Sequence, residues 1–316
     1  MRHTSAPQRS VMTTLYFTHA DCRRHEMGRW HPESPERLDA IQDHLLAIGL
    51  RDVLIEREAP LATPEQLALA HDPAYLQHLE RSVPDSGYAE LDPDTHLNPQ
   101  TLLAAKRAAG AAVAAVDAVM ANEAEAAFCA VRPPGHHAEP GRAMGFCFYN
   151  NVAVAVRHAL QVHGVQRVAV IDFDVHHGNG TERILAGDPR VLMCGFFQHP
   201  FYPYSGTEAP AANMLNLPVA AYADGAAIRA LVTQFWLPRL RQFGPELVVF
   251  SAGFDAHRND DMGQLGLVED DYAWMTQVIR TVAREAGHDR IVSCLEGGYE
   301  LRSLARSVAA HLRELL

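Results

Sequence analysis

The chain has 316 residues, 48% of them hydrophobic, and a formal net charge of -11 at pH 7. That length can bury a substantial core, and because no linker-like stretch divides it, one large domain is expected rather than two small ones. The negative charge, with basic residues scattered rather than gathered into a stripe, argues against binding nucleic acid or an anionic membrane and favours a cationic substrate.

Residues 1–12 are polar and hold no apolar run long enough for a signal peptide, so they read as a flexible leader to a folded domain over 13–316. Then short apolar, β-branched runs alternate with longer segments of helical period, the pattern of parallel strands joined by crossover helices. A strand is predicted over 15–18. A helix follows over 36–48, with Ser34 as N-cap, Pro35 in the first turn and Gly49 as its stop. Next come a Pro- and Asp-rich loop over 82–99, an Ala-rich helix over 99–121, a strand over 127–131 and a helix over 151–163. Strands over 168–173 and 191–196 precede an irregular loop over 198–212, a helix over 225–243 and a strand over 247–252. The chain closes with a helix over 269–286, a strand over 291–295 and a helix over 303–315. Strands this uniformly apolar imply burial on both faces, hence an α/β fold. No apolar stretch reaches about 18 residues, the minimum for a membrane-spanning helix, so a soluble, cytoplasmic protein is expected. The five cysteines are odd in number, and three lie inside strand-like runs, as buried thiols in a reducing compartment do.

The ionisable residues follow directly on strand ends: His136 and His137, then Asp174 to Asn179, then Asp255, then Tyr299. Ligands bind at that rim of an open parallel sheet. On an extended backbone Asp172, Asp174 and His176 face one side while Phe173 and Val175 face the other. Concentrating carboxylates where solvation is poor is costly unless a cation offsets it. Asp174, His176 and Asp255 supply three ligands and leave a position open, as catalytic zinc requires. Two anionic ligands neutralise the ion and weaken its acidifying effect, so such a site needs a separate general base. The tandem His136 and His137 suit that task, with Asp172 orienting one and Asn179 the other. The residues alone leave open which pairs with which. Tyr299, after Gly297 and Gly298, is read equally well as a phenol aimed at a developing oxyanion or as a cap on the core edge. Phe146, Phe201 and Tyr202 add aromatic groups on loops near the rim, and Cys147 reads as structural. Asp92, Asp94, Asp260 and Asp261 are either solvated turn residues or attractors of a cation.

The runs 31–37, 133–137, 145–147, 172–180, 251–255 and 296–299 stand in an order that resembles the histone deacetylase and acetylpolyamine amidohydrolase superfamily, and its class II and bacterial branches most. The resemblance implies the single-domain arginase/deacetylase fold, a parallel sheet of about eight strands between helical layers. It implies one zinc per chain on Asp174, His176 and Asp255, Asp172 paired with His136, and Asn179 paired with His137. His137 is then the general base and His136 an electrostatic helper, with Tyr299 polarising the carbonyl of an N-acyl amine and a histidine protonating the leaving amine. Phe146 and Tyr202 line an acyl-lysine tunnel, and Met262 stands where polyamine-selective relatives carry glutamate. An acyl-lysine or a small acyl-amine is therefore favoured over acetylpolyamine, with another small-molecule amide as a further alternative. The resemblance further implies a structural K+ near Asp172, Asp174 and His176, a site weakened here by Gly195 and Phe197. It is compatible with an oligomer. Two rivals stand beside this reading: a dimanganese ureohydrolase, which needs an acid where His257 stands, and an inactive binding module, which would have lost His137, Tyr299 or a ligand.

Overall fold

The structure is a computed structural model that describes residues 14–208 and 210–316. The leader expected over 1–12 lies outside the described residues. In chain order the strands are β1 (Thr14–Thr18), β2 (Ile55–Glu58), β3 (Ala89–Asp92), β4 (Thr95–Leu97), β5 (Ala126–Cys129), β6 (Val168–Asp172), β7 (Val191–Gln198), β8 (Met214–Val219), β9 (Leu247–Ala252) and β10 (Ile291–Leu295). The helices are α1 (Glu36–Ala47), α2 (Pro64–Leu67), α3 (Pro73–Ser82), α4 (Thr101–Met120), α5 (Asn151–Gln161), α6 (Asn179–Leu185), α7 (Gly225–Leu231), α8 (Leu237–Phe243), α9 (Glu269–Glu285) and α10 (Leu301–Leu315).

Eight strands form one parallel sheet in the order β2-β1-β5-β10-β9-β6-β7-β8. Every residue of β5, β6, β7, β9 and β10 is buried, as their continuous apolar sequences require. From β5 the chain jumps to β6 and leaves two positions that β10 and β9 later fill. The loops after these four adjacent strands therefore open side by side at one rim.

The expected elements are present with ends shifted by a few residues. Four differences have physical reasons. β2, with the exposed sequence IERE, carries no apolar signal and exists because its backbone pairs with β1 at the sheet edge. β8 is the other edge and tolerates Pro218, which would break a central strand. The loop expected over 82–99 contains the hairpin β3–β4. The single helix expected over 225–243 is interrupted at 232–236 by a π turn, because Pro238 has no N–H to donate to the Gln234 carbonyl and the hydrogen-bond register shifts around it.

Behind the rim, His311 of α10 is buried among Phe128, Phe173, Phe250 and Phe254, with ring nitrogens 2.6 Å from Thr276 Oγ1 and 2.8 Å from Ser293 Oγ. Burial lowers its pKa to about 3, and burial likewise lowers that of His71 to about 4. The folded state thus refuses protons that the unfolded chain accepts below its ordinary histidine pKa. Stability is full above that pKa and falls as the pH drops through the window down to 4 and 3. Denaturant melts at pH 7 and pH 5 are expected to differ by about 2 kcal/mol for each of these imidazoles. The difference should shrink in His311→Gln. An unchanged difference in that variant would contradict the assignment.

Candidate active site

The strand ends bring four chain segments together. β6 stops at Asp172, and bends rather than continued extended chain turn Asp174 and His176 toward the rim, so the expected alternation gives the right side chains by a different backbone. Each carboxylate is pinned by backbone donors. Asp174 N–H donates to Asp172 Oδ1 at 3.1 Å, and His176 N–H donates to Asp174 Oδ1 at 2.9 Å. Gly297 N–H donates to Asp174 Oδ2 at 2.9 Å, and Val175 N–H donates to Asp255 Oδ1 at 2.8 Å. The result is a buried group in which His176 Nδ1 lies 3.0 Å from Asp174 Oδ1 and 3.2 Å from Asp255 Oδ2.

Does this group fit a divalent metal ion? Asp255 Oδ2 is buried and, despite its nearness to His176, has no hydrogen-bond partner in good geometry. Burial, then the charge of Asp174, raises the Asp255 carboxyl well above the ordinary range. The His176 imidazole is pushed up to about 10: burial opposes its charge, and the hydrogen bond to Asp174 with the nearby charges of Asp255 and Asp174 overcomes that. Three donors competing for one proton suit a cation better than a proton. The backbone makes the room, because a Cβ on Gly297 would collide with the carboxylate oxygens of both aspartates. A histidine nitrogen with two carboxylate oxygens is a zinc-type donor set with a position left for substrate.

The histidine pair stands beside it. His136 Nδ1 lies 3.2 Å from Asp172 Oδ2 and its Nε2 lies 3.7 Å from Asp174 Oδ2. Burial works against its charge, but those two carboxylates prevail and push its pKa up to about 10, so His136 is a cation. His137 Nδ1 lies 2.7 Å from Asn179 Oδ1, while Asn179 Nδ2 donates to Glu139 at 3.0 Å, which fixes which end of the amide faces the ring. An amide oxygen only accepts, so Nδ1 carries the proton and Nε2 keeps its lone pair. Burial first, then the charges of His136 and His176, hold His137 well below the ordinary histidine range. Two adjacent imidazoles, 4.0 Å apart at their ring centres, thus differ in charge, His136 cationic and His137 neutral.

Tyr299 follows Gly298, whose φ of +120° is closed to most other residues. Its phenol pKa is raised well above the ordinary value by burial and then by Asp255, so it remains a donor. The loop that carries it is held from both sides. Asp260 Oδ2 accepts from the N–H of Tyr299 at 2.6 Å and of Glu300 at 2.9 Å. Arg37 donates to the Gly298 and Glu296 carbonyls and stacks 5.0 Å from the Tyr299 ring centre. Arg37 is itself anchored by Glu33, which also binds Arg132.

A cavity of about 260 Å³ leads to this group and is lined by Asp94, His137, Phe146, His176, Phe201, Tyr202, Asp261, Met262 and Tyr299 among others. Phe201 stacks on His176, Tyr202 meets His137 edge-on, and Phe146 meets Tyr299 edge-on. A larger hollow of about 430 Å³ near Pro189 and Arg239 is remote from these histidines and carboxylates.

The eleven residues given catalytic, metal, supporting or tunnel roles from the sequence meet here, with Asp172 and Asn179 behind His136 and His137 and with Phe146, Tyr202 and Met262 on the wall. Glu33, Arg37, Arg132 and Glu296 had no assigned role, although three of them stand inside the runs that carry the resemblance. Glu296 accepts from the N–H of Gly135 and His136 and fixes the histidine turn. Asp260 is buried and structural rather than solvated, Asp92 pairs with Arg142, and only Asp94 and Asp261 reach the cavity. His177 faces Ser205 and Glu182 and ties the Tyr202 loop to α6.

The histone deacetylase domain matches residues 31–315. The chain belongs to the histone deacetylase family. A histone deacetylase-like amidohydrolase of Pseudomonas aeruginosa is 39% identical over 85% of this chain and 72% of its own length. An uncharacterized protein of Synechocystis sp. is 39% identical over 94% and 97%, and the human polyamine deacetylase HDAC10 is 37% identical over 90% of this chain and 44% of its own. The crystal structure of the HDA15 HD domain superposes with a TM-score of 0.90 at 30% identity, covering 96% of this chain and 89% of that one. The expected fold class and family are borne out, and the chain is an enzyme of the deacetylase/amidohydrolase type. No helix among the described residues is long and apolar enough to cross a membrane.

Proposed function

We propose that this histone deacetylase family member is a cytoplasmic, zinc-dependent hydrolase of acyl-lysine that releases acetate and the free amine. The observation that carries the reading is the neutral His137, whose Nδ1–H is committed to Asn179 and whose Nε2 lone pair is free beside the Asp174, His176 and Asp255 group. Those three residues would hold the metal ion, which when bound supplies a Lewis acid for the acyl carbonyl and for water.

His137 takes the proton of the attacking water at Nε2 and returns it to the departing nitrogen, a cycle open to a base that is neutral near pH 7. The Tyr299 hydroxyl donates to the acyl oxygen as it gains charge. His136, kept cationic by Asp172 and Asp174, steadies negative charge at the centre without exchanging its proton. Phe146, Phe201 and Tyr202 exclude water from the narrow passage and admit an unbranched apolar stem such as that of lysine.

At the mouth, Met262 offers an apolar contact, whereas Asp94 and Asp261 offer charge. The first favours acyl-lysine in a peptide. The second, with relatives named as polyamine deacetylases, supports acetylated polyamine as the alternative substrate. Release of free amine from an acetyl-lysine peptide and from acetylspermidine by the zinc-loaded enzyme separates them. Peptide is expected to win by at least about tenfold in kcat/KM. The reverse ratio would transfer the assignment to polyamines, and no turnover of either would overturn both.

A further inference from the structure

A second group of metal-type donors lies far from the catalytic rim. Asp117 sits near the end of α4, His158 in α5 and His163 just past the end of α5. The two helices pack side by side. Both imidazoles turn Nε2 toward the same carboxylate oxygen: His158 Nε2 is 2.7 Å and His163 Nε2 is 2.6 Å from Asp117 Oδ1. Their rings meet at 72° with centres 5.4 Å apart, so the two nitrogens converge from different directions. The His158 side chain is only 7% exposed, whereas those of His163 and Asp117 are 24% and 51% exposed. One donor is therefore rigid, and two are able to adjust.

α5 begins at the catalytic rim and runs back to the start of β6, while α4 ends just before β5. Asp117, His158 and His163 thus lie toward the opposite end of the strands from Asp174. The active-site chemistry makes no use of them.

We propose that Asp117, His158 and His163 form a second, non-catalytic site for Zn2+ or a similar divalent transition ion, which staples α4 to α5. Two imidazole nitrogens and a carboxylate oxygen suit borderline ions over Mg2+ or Ca2+, which prefer all-oxygen shells. Zinc ligands sit at about 2.0–2.2 Å from the ion. The present N···O spacings therefore have to open by less than about 1 Å, which the exposed Asp117 and His163 allow. In the ion-free form the two Nε2 atoms share one carboxylate oxygen. On binding, each ring presents its Nε2 lone pair to the ion in place of the Asp117 contact. Water completes the coordination on the open side.

The test is metal uptake by the full chain in equilibrium dialysis against micromolar Zn2+, with thermal melts alongside. Wild type is expected to bind one ion more than His163→Ala and one more than Asp117→Asn, and its Tm should rise as that ion binds. Each variant should lose on the order of tenfold or more in affinity at this site and keep wild-type turnover. Asp255→Asn, at the other rim, should retain the ion. The difference between wild type and variants holds whether or not the catalytic group is filled, so failure of the catalytic reading and failure of this one are distinguishable. Equal uptake by wild type and both variants would overturn the proposal and leave a hydrogen-bonded staple.

Discussion

Replacing His137 by alanine is expected to lower hydrolysis of an acetyl-lysine peptide by about 10²–10⁴-fold, and Tyr299→Phe by about 10²–10³-fold, with bound metal unchanged in both. Neither side chain is among the three that would hold the proposed metal ion, so neither substitution should empty that site. They differ in what they remove. Alanine at 137 removes the lone pair that accepts the proton, whereas phenylalanine at 299 keeps the ring against Phe146 and Arg37 and removes only the hydroxyl donor. Metal analysis beside kcat separates lost chemistry from a lost site. If His137→Ala kept turnover within about threefold while His136→Ala abolished it, the charge assignment of the pair would be inverted. The hydrogen-bond partners argue against that inversion, because Asp172 supports a cation at His136 and Asn179 does not support one at His137.

The sequence made some of this legible and hid the rest. Central strands buried on both faces advertise themselves as apolar runs, and their ends mark where ionisable residues gather, so position alone pointed to Asp174, His176, Asp255 and the histidine pair, which the structure brings to one rim. The proposed division of labour between His136 and His137 was not legible in this way. It depends on which ring reaches which partner, 36 residues away in one case and 42 in the other, and only the resemblance supplied it. The edge strands β2 and β8 escaped because their existence rests on backbone pairing rather than on side-chain pattern. The support beneath Tyr299 escaped for a related reason. Glu33, Arg37 and Arg132 are charged residues in positions that local pattern assigns to the surface. They are buried because Arg132 reaches back 99 residues to Glu33, and because Arg37 crosses 261 residues to the Gly298 carbonyl. A buried acid satisfied by two arginines is stable as a set and costly to break. It rigidifies the segment from which the phenol projects.

The same logic of buried charge gives opposite signs for stability and function at Asp255. Asp255→Asn is expected to abolish high-affinity metal binding and with it turnover, while the metal-free variant melts about 2 °C above metal-free wild type. In wild type two carboxylates, Asp174 and Asp255, are buried side by side, and Asp255 Oδ2 has no hydrogen-bond donor in good geometry although His176 Nδ1 stands 3.2 Å away. That arrangement costs folding free energy until a cation occupies it. The amide keeps an oxygen for the Val175 N–H and puts a neutral group where the orphaned anionic oxygen stood, so the repulsion with Asp174 is removed. Calorimetry of both proteins after chelation, then with Zn2+ restored, reads the two effects separately. Wild type should gain stability with the ion and overtake the variant, which should not respond at this site. A metal-free variant less stable than metal-free wild type would mean that the proton shared with His176 already neutralises the group, and that the site is built for charge balance without metal.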